Sequence, residues 1–178
     1  MSKSLGNSPD TLNLINEYGS DGVRFGILLS TQAGNDLKFE EKLCKQGRNF
    51  ITKIKNAYKL LNIWEEQVGG IDFVQAIKDY EKGRCVREDL IDALLYEKER
   101  IEIEVDQKFK EYRINEAAMI IYNFFWDRFC SSYLEDAKPR ENREIDRPTV
   151  AMFFSIFKDL MILLEPFIPK TAEEYIKQ

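Results

Sequence analysis

Histidine is absent from all 178 residues. Without an imidazole, the side chain that ordinarily changes charge near neutral pH is missing, which excludes His-based general-base chemistry and His-containing metal sites. Cysteine is scarce. Cys44, Cys85 and Cys130 lie far apart, and an odd number cannot all pair within one chain. Buried thiols in a reducing cytoplasm are expected, rather than a disulfide framework or a metal site. Long apolar runs are missing too, because charge interrupts each of them, so no membrane span is expected. Met1 to Asn7 lacks the apolar stretch of a secretory signal. Nor is there a basic excess: 26 Lys and Arg face 31 Asp and Glu, for a net charge of −5. Binding of nucleic acid through bulk electrostatics is thereby excluded, and any RNA contact must come from a local basic and aromatic face.

What remains is the composition of a globular chain, 44% apolar and 32% charged, long enough for one domain with a small extension. Its patterning is helical. Ser8 with Pro9 suits the start of a first helix that stops at Gly19, and Ser20 or Asp21 opens a second. From Glu40 to about Trp64, Leu43, Gly47, Phe50, Ile51, Ile54, Ala57, Tyr58 and Leu61 recur at three- and four-residue steps. Gly69-Gly70 ends that helix, and a short one is expected around Phe73 to Tyr80. Further helices are expected over Glu88–Phe109, from a cap at Asn115 to about Ala137, and from Pro148 to Pro166. Thr171 with Glu174 has the pattern of a capping box. The predicted fold is all-α: a loop-and-helix segment over residues 1–38, joined to an antiparallel helical bundle over 39–178.

Aromatics crowd the stretch from Tyr122 to Tyr133. Helical spacing assigns Tyr122, Phe125 and Phe129 to packing and leaves Trp126 and Arg128 open. Carboxylates are dense from Glu97 to Asp106, but the interleaved Lys98, Arg100 and Lys108 predict a charged outer face rather than a metal or acid–base site. The chain opens Met1-Ser2-Lys3-Ser4-Leu5-Gly6-Asn7. Ser2, Ser4 and backbone N–H groups can donate to phosphate oxygens, with the Lys3 ammonium among them. A frayed terminus is the other reading of the same residues.

Met1 to Asn7 resembles the KMSKS signature of the class I aminoacyl-tRNA synthetases, continued by Leu-Gly-Asn and lacking its first lysine. Tyr18-Gly19-Ser20-Asp21-Gly22-Val23-Arg24-Phe25 resembles the YGADALRF stretch of the valyl, isoleucyl and leucyl group. Gly34 to Phe39 resembles GxDixF. Arg48-Asn49-Phe50 with Lys53 and Asn56 resembles RNFxNKxWNA of the valyl type, with Lys55 where that type has tryptophan. Residues 111–130 follow the valyl pattern again. Leu164 to Pro169 keeps the outline of LLHPFMP with Glu165 in place of histidine.

The resemblance implies a C-terminal part of a valine–tRNA ligase, with an isoleucyl-type or other branched-chain ligase as the near alternative. A freestanding helical RNA-binding or protein-interaction module is the alternative from another class. The resemblance makes Lys3 the catalytic residue, with Ser2, Lys3 and Ser4 on the ATP phosphates. It makes the bundle the anticodon-binding domain for valine tRNA, where Arg48, Lys45, Lys53 and Arg128 are the candidate contacts. ATP with magnesium, and valine, belong to a catalytic domain carrying the HIGH signature, so the chain alone is expected to bind no cofactor and to form no aminoacyl-adenylate. A cytoplasmic monomer is expected.

Overall fold

A computed structural model describes residues 10–30, 40–140 and 144–177. Among these residues every regular element is helical. The Ser2–Lys3–Ser4 loop, the Ser8–Pro9 helix start and the 38/39 boundary lie outside the described residues.

Helix α1 (Thr11–Tyr18) begins behind Asp10, whose carboxylate accepts from the Leu12 N–H at 3.0 Å. Gly19, at φ 76°, breaks it, and α2 (Ser20–Ser30) follows at once. The long α3 (Glu41–Gln67) buries Cys44, Gly47, Phe50, Ile54, Ala57, Leu61 and Trp64 on a single stripe. At its end the Gly70 N–H donates to Glu65 O at 3.0 Å and the Gly69 N–H to Glu66 O at 3.1 Å. Gly69 adopts the left-handed conformation this closure requires, with φ 73°.

A short α4 (Phe73–Glu81), capped by Asp72, leads to α5 (Glu88–Lys110). The same closure then recurs without glycine. Tyr112 stands at φ 59° while Tyr112 and Arg113 donate back to Phe109 and Lys108. Helix α6 (Ile114–Asn123) starts after Arg113, so Asn115 lies inside the helix and is not its cap. It runs without a break into a π-helical segment, Phe124–Tyr133, and then α7 (Leu134–Ala137). Within the wide segment the Ser131 hydroxyl donates to Trp126 O, five residues back, at 2.8 Å.

Helix α8 (Arg147–Leu164) is buried on most sides and forms the middle of the bundle. Asp146 caps it, and the same carboxylate also accepts from the Val86 N–H at 2.9 Å. The last helix, α9 (Pro169–Ile176), has no side-chain cap of its own. Thr171 is not the start of a capping box: its N–H is taken by Asp21, 150 residues away, at 2.6 Å.

One core joins these elements. Phe25 of α2 stacks on Phe50 of α3 with centroids 4.8 Å apart, Phe50 meets Phe125 edge-on at 5.6 Å, and Phe125 and Phe129 reach Phe157 of α8. A smaller apolar cluster of Leu14, Val23 and Cys44 seats α1 and α2 on α3. Glycine permits that seating. A Cβ on Gly47 would overlap the Gly22 carbonyl, and one on Gly26 would overlap the Leu43 carbonyl.

Candidate nucleic-acid interface

The buried stripe of α3 determines which of its side chains face outward. At 100° per residue, the half of the helix opposite Phe50, Ile54 and Leu61 carries Lys42, Lys45, Arg48, Lys55 and Lys59, with Lys53 at its flank. Lys45 and Arg48 are exposed and Lys53 is half-buried. The backbone of Arg48 lies against Gly22, where an added Cβ would meet Arg48 N at 3.0 Å. The Thr52 hydroxyl donates to Arg48 O at 3.0 Å.

An aromatic platform adjoins this basic side. The Lys53 ammonium stands over the Trp126 ring, 5.2 Å from its centroid. Trp126 in turn stacks on Tyr122 at 5.7 Å and 29°, and Tyr122 rests on Phe50. Phe125 and Phe129 are fully buried, as their spacing predicted, whereas Trp126 is only half-buried. A cation over an indole face beside exposed lysines suits contact with both the π-face of a base and a phosphate.

Arg128 belongs to a different surface. Its Nε and Nη2 donate to the two carboxylate oxygens of Glu97 on α5, at 2.8 and 2.5 Å. It also lies 5.4 Å from the Tyr133 ring centre. The Arg128 guanidinium holds the Glu97 carboxyl below its usual range, and Glu97 in return raises the already high pKa of Arg128. Of the four tRNA-contact residues picked from the sequence, three share α3 and one is turned to α5. On α5 Glu99, Arg100, Glu104 and Asp106 are exposed, in line with the expected outer face, with one departure. Lys98 is buried, with its ammonium 2.9 Å from both Glu102 and Asp159.

Sequence reasoning gave no role to two residues inside a motif it quoted. Arg24 of α2 donates from Nε to Phe167 O at 3.1 Å and from Nη2 to Pro166 O at 3.0 Å. Asp21, one turn earlier, is the buried acceptor for Thr171. No local pattern marks either pairing, since the partners lie about 145 residues away.

Among the described residues no group of His, Cys, Asp and Glu is gathered for a metal ion, and no helix is long and apolar enough to cross a membrane. All three cysteines are free thiols. Burial pushes the Cys130 thiol up to about 12.

Known proteins extend this picture. Residues 1–40 match the family of class I tRNA synthetases (I, L, M and V), and residues 92–178 match the anticodon-binding domain of tRNA ligase. Over all of its length the chain is 42% identical to a valine–tRNA ligase of Bacteroides fragilis. The chain belongs to the class I tRNA synthetases. It is also 44% identical over 174 residues to the valine–tRNA ligase of Phocaeicola vulgatus, and 34% identical over 179 residues to that of Borreliella burgdorferi. The chain spans about a fifth of the length of these relatives, 18–19% of each. A solved LeuRS of Agrobacterium radiobacter K84, in a ternary complex with tRNA and LeuAMS, shares the fold with a TM-score of 0.64. That match covers 99% of this chain and 20% of the LeuRS chain, at 18% identity. The class I synthetase resemblance is thus carried by both ends of the chain, and the valine type by the whole of it.

Proposed function

We propose that this chain works within a longer valine–tRNA ligase, contributing the ATP-phosphate loop and the bundle that holds the tRNA. The observation that carries the reading is the 42% identity to a valine–tRNA ligase over 181 aligned positions that cover 100% of the chain. Residues 1–38 form the loop segment in this reading, and residues 39–178 the anticodon-binding domain. Lys3, with Ser2 and Ser4, contacts the ATP phosphates and stabilises the charge that builds as pyrophosphate leaves. ATP with magnesium, and valine, are bound by the rest of the enzyme, which is a cytoplasmic monomer.

Lys45, Arg48 and Lys53 hold tRNA phosphates, and the half-buried Trp126 beside Lys53 meets an unpaired base. Arg128 is a further contact, and the Glu97 pair keeps it extended until RNA arrives. A solvent-reached pair of this kind is worth roughly 0–1 kcal/mol, so exchanging a carboxylate for a phosphate costs little. With a net charge of −5, few phosphates are neutralised. A shallow dependence of affinity on salt follows.

The experiment is a titration of the chain with valine tRNA, and with the same tRNA carrying a changed anticodon, at two salt concentrations. Weak binding that prefers the valine anticodon and is lost in Arg48→Ala is expected, with the melting temperature unchanged by the substitution. Equal affinity for both RNAs would leave only generic RNA contact, and no binding at low salt would overturn the reading.

A further inference from the structure

One arginine of the bundle is buried without a partner. Arg87 is 9% exposed, and its Nε and Nη2 are fully covered and meet no hydrogen-bond acceptor. Among the described residues no other side chain leaves a buried nitrogen or oxygen unsatisfied. Such a group carries the full cost of its lost hydration, and for a cation that cost is large. Buried arginines are ordinarily matched by an opposite charge.

The surroundings add positive potential and room. Arg87 is also the residue that precedes α5, which has no side-chain cap. The first bond of that helix is donated by the Ile91 N–H to Arg87 O at 2.9 Å, so the N–H groups of Glu88, Asp89 and Leu90 lie ahead of it. Uncapped N–H groups at the start of a 23-residue helix attract an anion, through hydrogen bonds and through the aligned peptide dipoles. A cavity of about 530 Å³ lies here, lined by residues 85–90 and by Asp136 of α7. That is within the roughly 300–1,000 Å³ of small-ligand sites.

Carboxylates around the cavity limit what it takes. Asp89 and Asp136 are exposed, Glu88 is half-buried, and none of the three is paired with Arg87. Their charge repels a long polyanion more than a small ion. A single oxyanion that reaches the guanidinium gains charge-assisted hydrogen bonds from its planar fork. Phosphate also has oxygens to spare for the helix N–H groups.

We propose that the cavity at the start of α5 is a phosphate-binding site, with Arg87 as its cation and the first turn of α5 as its backbone donors. The site belongs to the bundle itself and does not depend on the ligase reading. Inorganic phosphate, a phosphate monoester and an RNA phosphate share this chemistry, and the carboxylates favour the two small ions.

The test uses the 178-residue chain with Arg87→Met, Arg87→Lys and Asp136→Asn. Inorganic phosphate is titrated by calorimetry against sodium chloride of matched ionic strength, and thermal unfolding is followed with and without it. Phosphate should bind the parent and raise its melting temperature, as a ligand held by the native state alone must. Arg87→Met should weaken phosphate by about tenfold or more. In phosphate-free buffer it should melt above the parent, because the unpaired charge is gone. Arg87→Lys, a point charge without the fork, should fall between the two. Asp136→Asn should bind phosphate up to about fivefold tighter. Equal affinity in the parent and Arg87→Met would mean adventitious surface binding only, and no binding by the parent is equally fatal. If Arg87 pairs with Asp136 in solution, Arg87→Met and Asp136→Asn both melt lower and Asp136→Asn gains no affinity, which also overturns the proposal. Should Arg87→Met fail to fold, Arg87→Lys and Asp136→Asn decide: unchanged phosphate affinity in both refutes the site. Glycerol phosphate and tRNA are then added to the phosphate-saturated chain to separate the sources. Displacement by glycerol phosphate alone supports a small ion, whereas displacement by tRNA that is lost in Arg87→Lys overturns that preference and gives the site to an RNA phosphate.

Discussion

Glu97 and Lys98 are chain neighbours on α5 with different surroundings. Lys98 is buried, which works against its ammonium, yet the hydrogen bonds it donates to Asp159 and Glu102 outweigh that cost and hold its pKa above the ordinary value. Glu97 meets solvent on one side, and its pKa is lowered chiefly by the Arg128 hydrogen bonds. A carboxyl depressed in the folded state contributes stability above its unfolded pKa, and that contribution is lost as pH falls through the folded one. Glu97→Gln should therefore be less stable than the parent at pH 7, by roughly 0.2–1 kcal/mol given the exposure of Arg128. The two should converge as pH falls below the ordinary glutamate range. Urea unfolding of both proteins across that range checks it, and a gap that widens toward acid would refute the assignment. The burial of Lys98 was not legible in the sequence. Its i+4 partner Glu102 was visible, but Asp159, which draws the ammonium inward, lies 61 residues along the chain.

The α2–α3 crossing shows how an element-scale contact can reverse a residue-scale rule. Ala is a better helix former than Gly by about 1 kcal/mol, so Gly47→Ala in an isolated α3 would stabilise it. In the folded chain the added carbon would overlap the Gly22 carbonyl. Overpacking of this kind typically costs about 1–3 kcal/mol, and here it meets backbone that cannot rotate away. Gly47→Ala should therefore lower the thermal midpoint, and a rise would mean that α2 and α3 do not touch as described. The helices themselves were legible, because Phe50, Ile54, Leu61 and their neighbours repeat at the steps a buried stripe demands. The π-helical turn was not. Phe125, Phe129, Cys130, Tyr133 and Leu134 are all buried, and their four- and five-residue spacing passes for a loose α pattern until the wide turn shows how all of them face inward. On the candidate interface, Lys45, Arg48 and Lys53 could be picked out by helical phase alone. The Glu97 partner that turns Arg128 aside required the tertiary structure.

For the molecule as a whole, Phe25 decides whether the N-terminal helices are an appendage. Its ring is fully buried and stacked on Phe50, so α2 shares the core of the bundle rather than a core of its own. Unfolding should be a single transition, with helix content by circular dichroism and the fluorescence of Trp64 and Trp126 changing together. Earlier loss of amide protection in α2 would separate the two units. The same architecture has a consequence for biosynthesis. Arg24 leaves the ribosome 142 residues ahead of Pro166. At roughly 5–20 residues per second, that is a delay of about 7–30 s. Through that interval α2 carries a carboxylate and a guanidinium whose partners at the corner between α8 and α9 are not yet made, and the loop that the Arg24 contact closes spans 142 residues. Helices α1 and α2 are made before the corner that secures them, so a nascent chain that has not yet reached Thr171 carries every group of the α3 basic face and still lacks the N–H that anchors Asp21.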